Sequence, residues 1–183
     1  MAIKKIITVP NPKLRQKSKP VKKIDKKIKQ LVKNLIETAK AAEEPKGVGL
    51  SAIQIDKPLR VFVIKRGNKF TPFINPKILW QSKKNLAQVL EKEKLLLEGC
   101  LSIPGFYGFV DRPYAVKLKW QDLEGKNHQE KFAEKEATFV QHEFDHLNGI
   151  LFTDHILKQK GKIFKIEKDE EDNEVFVEVE IEP

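Results

Sequence analysis

The chain has 183 residues, of which 40% are hydrophobic and 33% charged, and a net charge of +9. That length suits one domain with a sizeable core, and 1–183 is read as a single unit. No apolar run approaches the roughly 18 residues a membrane span needs. Residues 1–12 lack the long apolar stretch of a secretory signal, so a cytoplasmic location and no membrane partner are expected.

Cys100 is the only cysteine, which excludes an intramolecular disulfide and agrees with a reducing compartment. Charge is unevenly spread. Residues 1–40 carry thirteen Lys or Arg against Asp25 and Glu37, whereas 165–183 carry nine Asp or Glu against Lys165 and Lys168. The basic half is suited to RNA, a ribosome surface or an anionic membrane. Its lysines lack the aromatic interleaving of a base-stacking surface, so no specific DNA binding is expected.

In chain order, Pro10, Pro12 and Pro20 predict an extended arm. Asp25 then reads as the N-cap of a helix whose apolar positions are Ile28, Leu31, Val32, Leu35 and Ala39. The Gly47-Val48-Gly49 turn follows. Leu59–Lys65 reads as a strand, and Thr71–Trp80 as another, interrupted at Asn75-Pro76. Ser82–Leu97 is ambiguous between a short helix and an extended loop. Ala115–Asp122 and His128–Phe132 flank Glu124-Gly125 as a hairpin. Glu134–Gly149 reads as a helix. From Gly161 the tail predicts an acidic β-hairpin, Lys162–Lys168 and Glu174–Ile181, in which Val175, Val177, Val179 and Ile181 alternate as in a half-buried strand. The class is α+β: antiparallel strands around a central helix, with an N-terminal helix and a C-terminal strand hairpin.

The Glu134–Gly149 helix contains His142-Glu143-Phe144-Asp145-His146, an HExxH pentapeptide. Residues four apart share a helical face, so both imidazoles can reach one metal ion while Glu143 holds a water beside it. A catalytic tetrahedral site needs one more protein ligand and one open position. The extended metalloprotease pattern HExxHxxGxxH places its third histidine where Phe152 stands, and His155 lies beyond it. Glu167 has the spacing of a glutamate ligand from a second helix, but it falls in the strand-like tail. Cys100, in Glu98-Gly99-Cys100-Leu101-Ser102, is the remaining soft ligand, with a thiolate suited to divalent iron or zinc. Gly47–Gln54 adds a glycine turn and an amide. His128 and His155 read as surface or strand histidines. A zinc endopeptidase and an RNA-associated module with a structural metal remain as alternatives at this point.

Taken together, the three segments resemble peptide deformylase. That family carries a GxGLAAxQ box, an EGCLS box and a QHExDH helix in this order, matched here by Gly47–Gln54, Glu98–Ser102 and Gln141–His146. Within the boxes, only Ser51 departs, from an alanine. Val9–Arg15, Phe73–Pro76 and Gly149–Phe152 extend the likeness over most of 1–156. The resemblance implies removal of the N-formyl group from the initiator methionine of nascent polypeptides, with release of formate. It implies Cys100, His142 and His146 as ligands, Fe²⁺ as the ion with Zn²⁺, Ni²⁺ or Co²⁺ able to substitute, and attack by metal-bound water with Glu143 as general base. Gln54 and the backbone N–H of Leu101 would stabilise the oxyanion, and Glu98 would orient a ligand imidazole. Gly49 and Gly99–Leu101 would bracket the peptide, and Val48, Leu101, Phe139 and Thr138 would form the methionine pocket. Tyr107 stands near a position where many family members have an arginine. Ser82–Leu97 is longer than the usual connection, and the acidic tail replaces the basic helix with which many bacterial members dock on the ribosome. Any transient ribosome association is therefore expected through the basic N-terminal half, at Lys26, Lys29 and Lys33.

Overall fold

The computed structural model describes residues 3–43, 45–169 and 171–179. Helix α1 (Lys26–Lys40) starts where Asp25 Oδ1 accepts from the backbone N–H of Lys27 at 2.9 Å and Ile28 at 3.1 Å. An N-cap carboxylate satisfies donors that the first helical turn leaves free. Short strand β1 (Gly49–Ser51), β2 (Val61–Arg66) and β3 (Lys69–Gln81) follow. The interruption in β3 is real: Asn75 has φ of 52° and the register to the next strand shifts between Ile74 and Lys77. Ser82–Leu97 holds two single turns of 3₁₀ helix, Leu86–Gln88 and Lys92–Lys94, joined by irregular backbone.

Strands β4 (Leu97–Cys100) and β5 (Ile103–Phe109) form a tight pair. Strands β6 (Ala115–Gln121) and β7 (Asn127–Ala133) form the expected hairpin. Helix α2 runs from Glu134 to His146 and stops short of the predicted end, because Gly149 takes φ of 74° in the turn beyond it. Helix α3 (Phe152–Gln159) leads to β8 (Ile163–Lys168) and β9 (Glu174–Val179).

The strands form two antiparallel sheets, one in the order β1-β2-β3-β6-β7 and the other β4-β5-β8-β9. Each helix buries one apolar stripe. Helix α1 places Ile28, Leu31, Val32 and Leu35 with Leu50, Val61, Val63 and Ile74 on one face of the first sheet. Helix α2 places Ala137 and Val140 with Phe62, Ile64, Phe73, Val116, Leu118, Trp120 and Phe132 on the opposite face. A third cluster joins Cys100, Ile103, Phe152 and Ile156 to Leu14 of the N-terminal arm, whose Pro12–Arg15 stretch is a 3₁₀ turn within the otherwise irregular segment. The α+β class and the central HExxH helix are as the sequence implies.

The tail requires a correction. Strand β9 forms, but Val175, Phe176 and Val177 are exposed rather than half-buried. It is the edge of its sheet, hydrogen-bonded to β8 alone. Ile181 lies outside the described residues.

Candidate metal centre and substrate pocket

Strand β1 and the 3₁₀ turn Ala52–Ile55 bring the first box to the site. The β4–β5 pair brings the second, and α2 brings the third. The N-terminal arm stitches the first two together: Ile7 N–H donates to Gln54 O at 2.8 Å and Val9 N–H to Ser102 O at 3.0 Å. Cys100 and His146 are buried and His142 nearly so. Ligand atoms of the three lie within 4.8 Å of one another, with Cys100 Sγ 3.2 Å from His146 Nε2.

The donor set fits a divalent ion. His142 Nδ1 is 2.8 Å from Glu98 Oε2, and an ionised Glu98 makes that nitrogen the donor, which frees Nε2 to ligate. Burial alone would raise the Glu98 carboxyl, but the Arg112 charge and hydrogen bonds from His142 and Arg112 outweigh it and hold it at about 2. His146 Nδ1 is buried without a hydrogen-bond partner among the described residues. Burial, then the charges of His142 and Arg112, push its imidazole well below its usual range, so His146 stays neutral. Against its own burial, hydrogen bonds to Cys100 and Glu98 hold His142 well above its usual range, so His142 must give up its Nε2 proton to ligate. A thiolate with two imidazoles suits a tetrahedral centre with one open position.

Glu143 shares this cavity. Burial raises its carboxyl to about 7, against the opposing effects of the His142 charge and a hydrogen bond from Ser51. Ser51 Oγ lies 2.7 Å from Glu143 Oε2 and 2.9 Å from the Glu143 carbonyl oxygen. Gln54 is held in one orientation: its Oε1 accepts from Ser51 N–H at 2.8 Å, while Nε2 donates to Ser102 Oγ at 3.1 Å and faces Cys100 Sγ at 3.6 Å. Gly49 is needed for closeness, since a Cβ there would stand 2.5 Å from Glu143 Oε1. Gly99 is likewise pressed against the Tyr107 ring, where a Cβ would meet Cε1 at 2.5 Å.

A cavity of about 240 Å³ opens onto this group, and Val48, Gly49, Gln54, Glu98, Gly99, Cys100, Leu101, Thr138, Phe139, His142 and Glu143 all line it. Every predicted site residue except His146, which is buried within the ligand cluster, thus meets at one pocket. Tyr107 lines it too, as do Leu96, Leu97 and Lys135. The long 82–97 segment therefore does form part of the rim. Phe152, standing where a protease would have its third histidine, is buried and stacked on the His142 ring at 6.1 Å between centroids. Glu167 is exposed and pairs with Lys165 at 3.1 Å, away from the ligands.

Sequence reasoning missed Arg112. It is buried, donates to both Glu98 oxygens, and reaches Asp145 Oδ2 at 2.7 Å. His155 Nε2 lies 2.8 Å from the same Asp145 oxygen, so a continuous polar chain runs His142–Glu98–Arg112–Asp145–His155. Asp145 sits inside the pentapeptide, but Arg112 comes from a loop with no motif, and only the fold unites them. His128, as expected, is a strand histidine, 2.6 Å from Asp122.

Comparison with known proteins agrees with this geometry. The family model described as polypeptide deformylase matches residues 3–162. A peptide deformylase of Novosphingobium aromaticivorans is 41% identical, with 92% of this chain and 97% of that protein covered. One of Phenylobacterium zucineum is also 41% identical, with the same coverage. The crystal structure of a Thermotoga maritima peptide deformylase superposes with a TM-score of 0.76 at 34% identity, covering 85% of this chain and 98% of that one. A Synechococcus elongatus peptide deformylase in complex with actinonin gives 0.74 at 32% identity, covering 85% and 83%. With its three boxes assembled around one metal-dependent centre, the chain belongs to the polypeptide deformylase family.

Proposed function

We propose that this chain removes the N-formyl group from the initiator methionine of nascent polypeptides and releases formate, with 1–183 acting as one catalytic domain. The observation that carries this reading is the convergence of Cys100, His142 and His146 beside Glu143 and Gln54 in one lined cavity. A divalent ion, Fe²⁺ in this reading with Zn²⁺, Ni²⁺ or Co²⁺ able to replace it, would lower the pKa of water from about 15.7 towards 7 and so supply a nucleophile.

The chain's own residues do the rest. Glu143 accepts the proton of the attacking water and returns it to the departing amine nitrogen, so one water and one amide become formate and a free N-terminus. Gln54 Nε2 and the Leu101 N–H donate to the formyl oxygen as it gains charge, and losing one such donor costs roughly 10²–10³ in rate. Glu98 keeps the His142 ring in its ligating tautomer. The backbone of Gly49 and Gly99 brackets an extended peptide, and Val48, Leu101, Phe139 and Thr138 receive the methionine side chain. In this reading the protein works in the cytoplasm, in transient association with ribosomes. Among the described residues no helix is long and apolar enough to cross a membrane.

The test is formate release from formyl-Met-Ala-Ser by anaerobically iron-loaded protein. Glu143→Ala is expected to keep its metal and lose turnover, by roughly the 10²–10⁴-fold that general acid–base catalysis contributes. Cys100→Ala is expected to lose the metal itself, read by elemental analysis. Folded, metallated wild-type protein that yields no formate would overturn the assignment.

A further inference from the structure

The first sheet is covered by α2 along one face, but α1 covers the other face only over β1, β2 and residues 70–74 of β3. What remains open is the α1 side of the later part of β3, and of β6 and β7. Directly paired residues of antiparallel strands point to the same side. Trp80, Lys117 and Lys131 therefore form one row across this face, and Lys77, Lys119 and Gln129 form the next. Gln121 and Asn127 make a third row. Trp80 is 48% exposed, with Lys131 Nζ 5.3 Å from its ring centroid.

Two features of this face point to a ligand. Lys77 stands opposite Lys119, and Lys117 opposite Lys131. Like charges placed directly opposite destabilise a strand pair, and the face carries two such pairs. None of these four lysines forms an ion pair among the described residues. The nearby acids are engaged elsewhere: Asp122 by His128, Glu124 by Lys29, and Glu130 by Arg66. At one end of the face, Lys77, Lys119, Gln121 and Asn127 line a cleft of about 390 Å³, with Arg60 at its side held by the Phe144 ring and Asn148. Lysine rows, side-chain amides and an exposed indole on a flat sheet are the components of a surface that tracks a phosphate backbone and stacks a base.

We propose that this open sheet face binds RNA, with Lys77, Lys117, Lys119 and Lys131 on phosphates and Trp80 against a base. The proposal moves the ribosome-facing surface from Lys26, Lys29 and Lys33 of α1 to the sheet, and rests on the proposed function for its biological setting. Its physical claim is independent of deformylation. The bound RNA would lie on the side of the sheet away from α2, so the metal centre stays free to work on a peptide. An anionic membrane fits less well, because among the described residues of these rows Trp80 is the only exposed large apolar side chain, Ile74 opposite Gln121 being buried.

The experiment measures binding of a short fluorescein-labelled single-stranded RNA by anisotropy across a salt series, with formate release assayed on the same samples. Wild type is expected to bind with a steep salt dependence. Lys77→Gln/Lys119→Gln should flatten the slope of log K against log salt by about 1.4, from about 0.7 per phosphate contact on single strands. Trp80→Ala should weaken binding roughly tenfold. Unchanged formate release certifies that the variants fold.

A wild-type chain that binds no RNA at low salt would overturn the proposal, as would lysine variants that keep the wild-type slope. So would Lys26→Gln/Lys29→Gln/Lys33→Gln abolishing binding while the sheet variants retain it, which would move the site to α1. Phosphatidylserine vesicles or polyglutamate bound as tightly as RNA, with the same dependence on Lys77 and Lys119, would also overturn it. RNA binding by a protein that releases no formate would leave this proposal standing and sink the deformylase reading instead.

Discussion

Glu98 shows how a single side chain serves both stability and the metal centre. It is buried between the Arg112 guanidinium and the His142 ring. Its folded-state pKa of about 2 lies below the ordinary 4.5. The unfolded chain therefore binds the proton more tightly, and the carboxylate's contribution is fully present above about pH 4.5 and is lost as pH falls towards 2. Urea melts of wild type should weaken across that window. Glu98→Gln should be flatter there and, at neutral pH, less stable by about 3–5 kcal/mol, because Arg112 keeps a buried charge with half its partners gone. Ser51 is the chain's departure from the family box, and the structure gives the difference a job: its hydroxyl reaches the Glu143 carboxylate. Ser51→Ala should keep metal content, and activity should persist because alanine stands there in the box. A hydrogen bond to a charged group contributes about 1.5–3 kcal/mol, so turnover should drop by roughly ten- to a hundredfold if that bond is made in the transition state.

At the scale of elements, legibility followed locality. The HExxH helix, the capped α1 and the β6–β7 hairpin each announce themselves within a dozen residues, through spacing, an N-cap or a glycine turn. Strand β5 carries no local strand signal, with Pro104, Gly105 and Gly108 in seven residues, and pairing with β4 and β8 makes it a strand. Helix α3 was too short for its period to show. Strand β9 misled in the opposite way. Its valines alternate with acids as a half-buried strand requires, yet Val175 and Val177 are exposed, and Phe176 is 54% exposed with an edge contact to Tyr107 at 5.5 Å. A chain ending after Lys168 should therefore still fold, but melt below the full chain, because β8 loses the ladder that pairs it with Glu174–Val179. It should also release formate at an unchanged kcat; a large loss would mean that β9 supports the pocket wall through Tyr107.

Across the whole molecule, the three boxes were readable as a site because their order and composition are distinctive, but what binds them together was not. The Arg112–Asp145–His155 chain and the backbone bonds from the arm join residues far apart in sequence, and no local pattern encodes them. Charge behaved the same way. The basic count was visible in the linear sequence, whereas the lysine rows emerge only once β3, β6 and β7 are in register. The ligand set has a further consequence, concerning time. Cys100 and His146 are 46 residues apart, and both histidines belong to α2. While the chain is being synthesised, the sulfur is available long before either imidazole. A folded amino-terminal portion would be without the means to hold an ion until α2 is made and docked. Metal capture is thus tied to the completion of α2, and a copy that stops short of that helix has no complete ligand set.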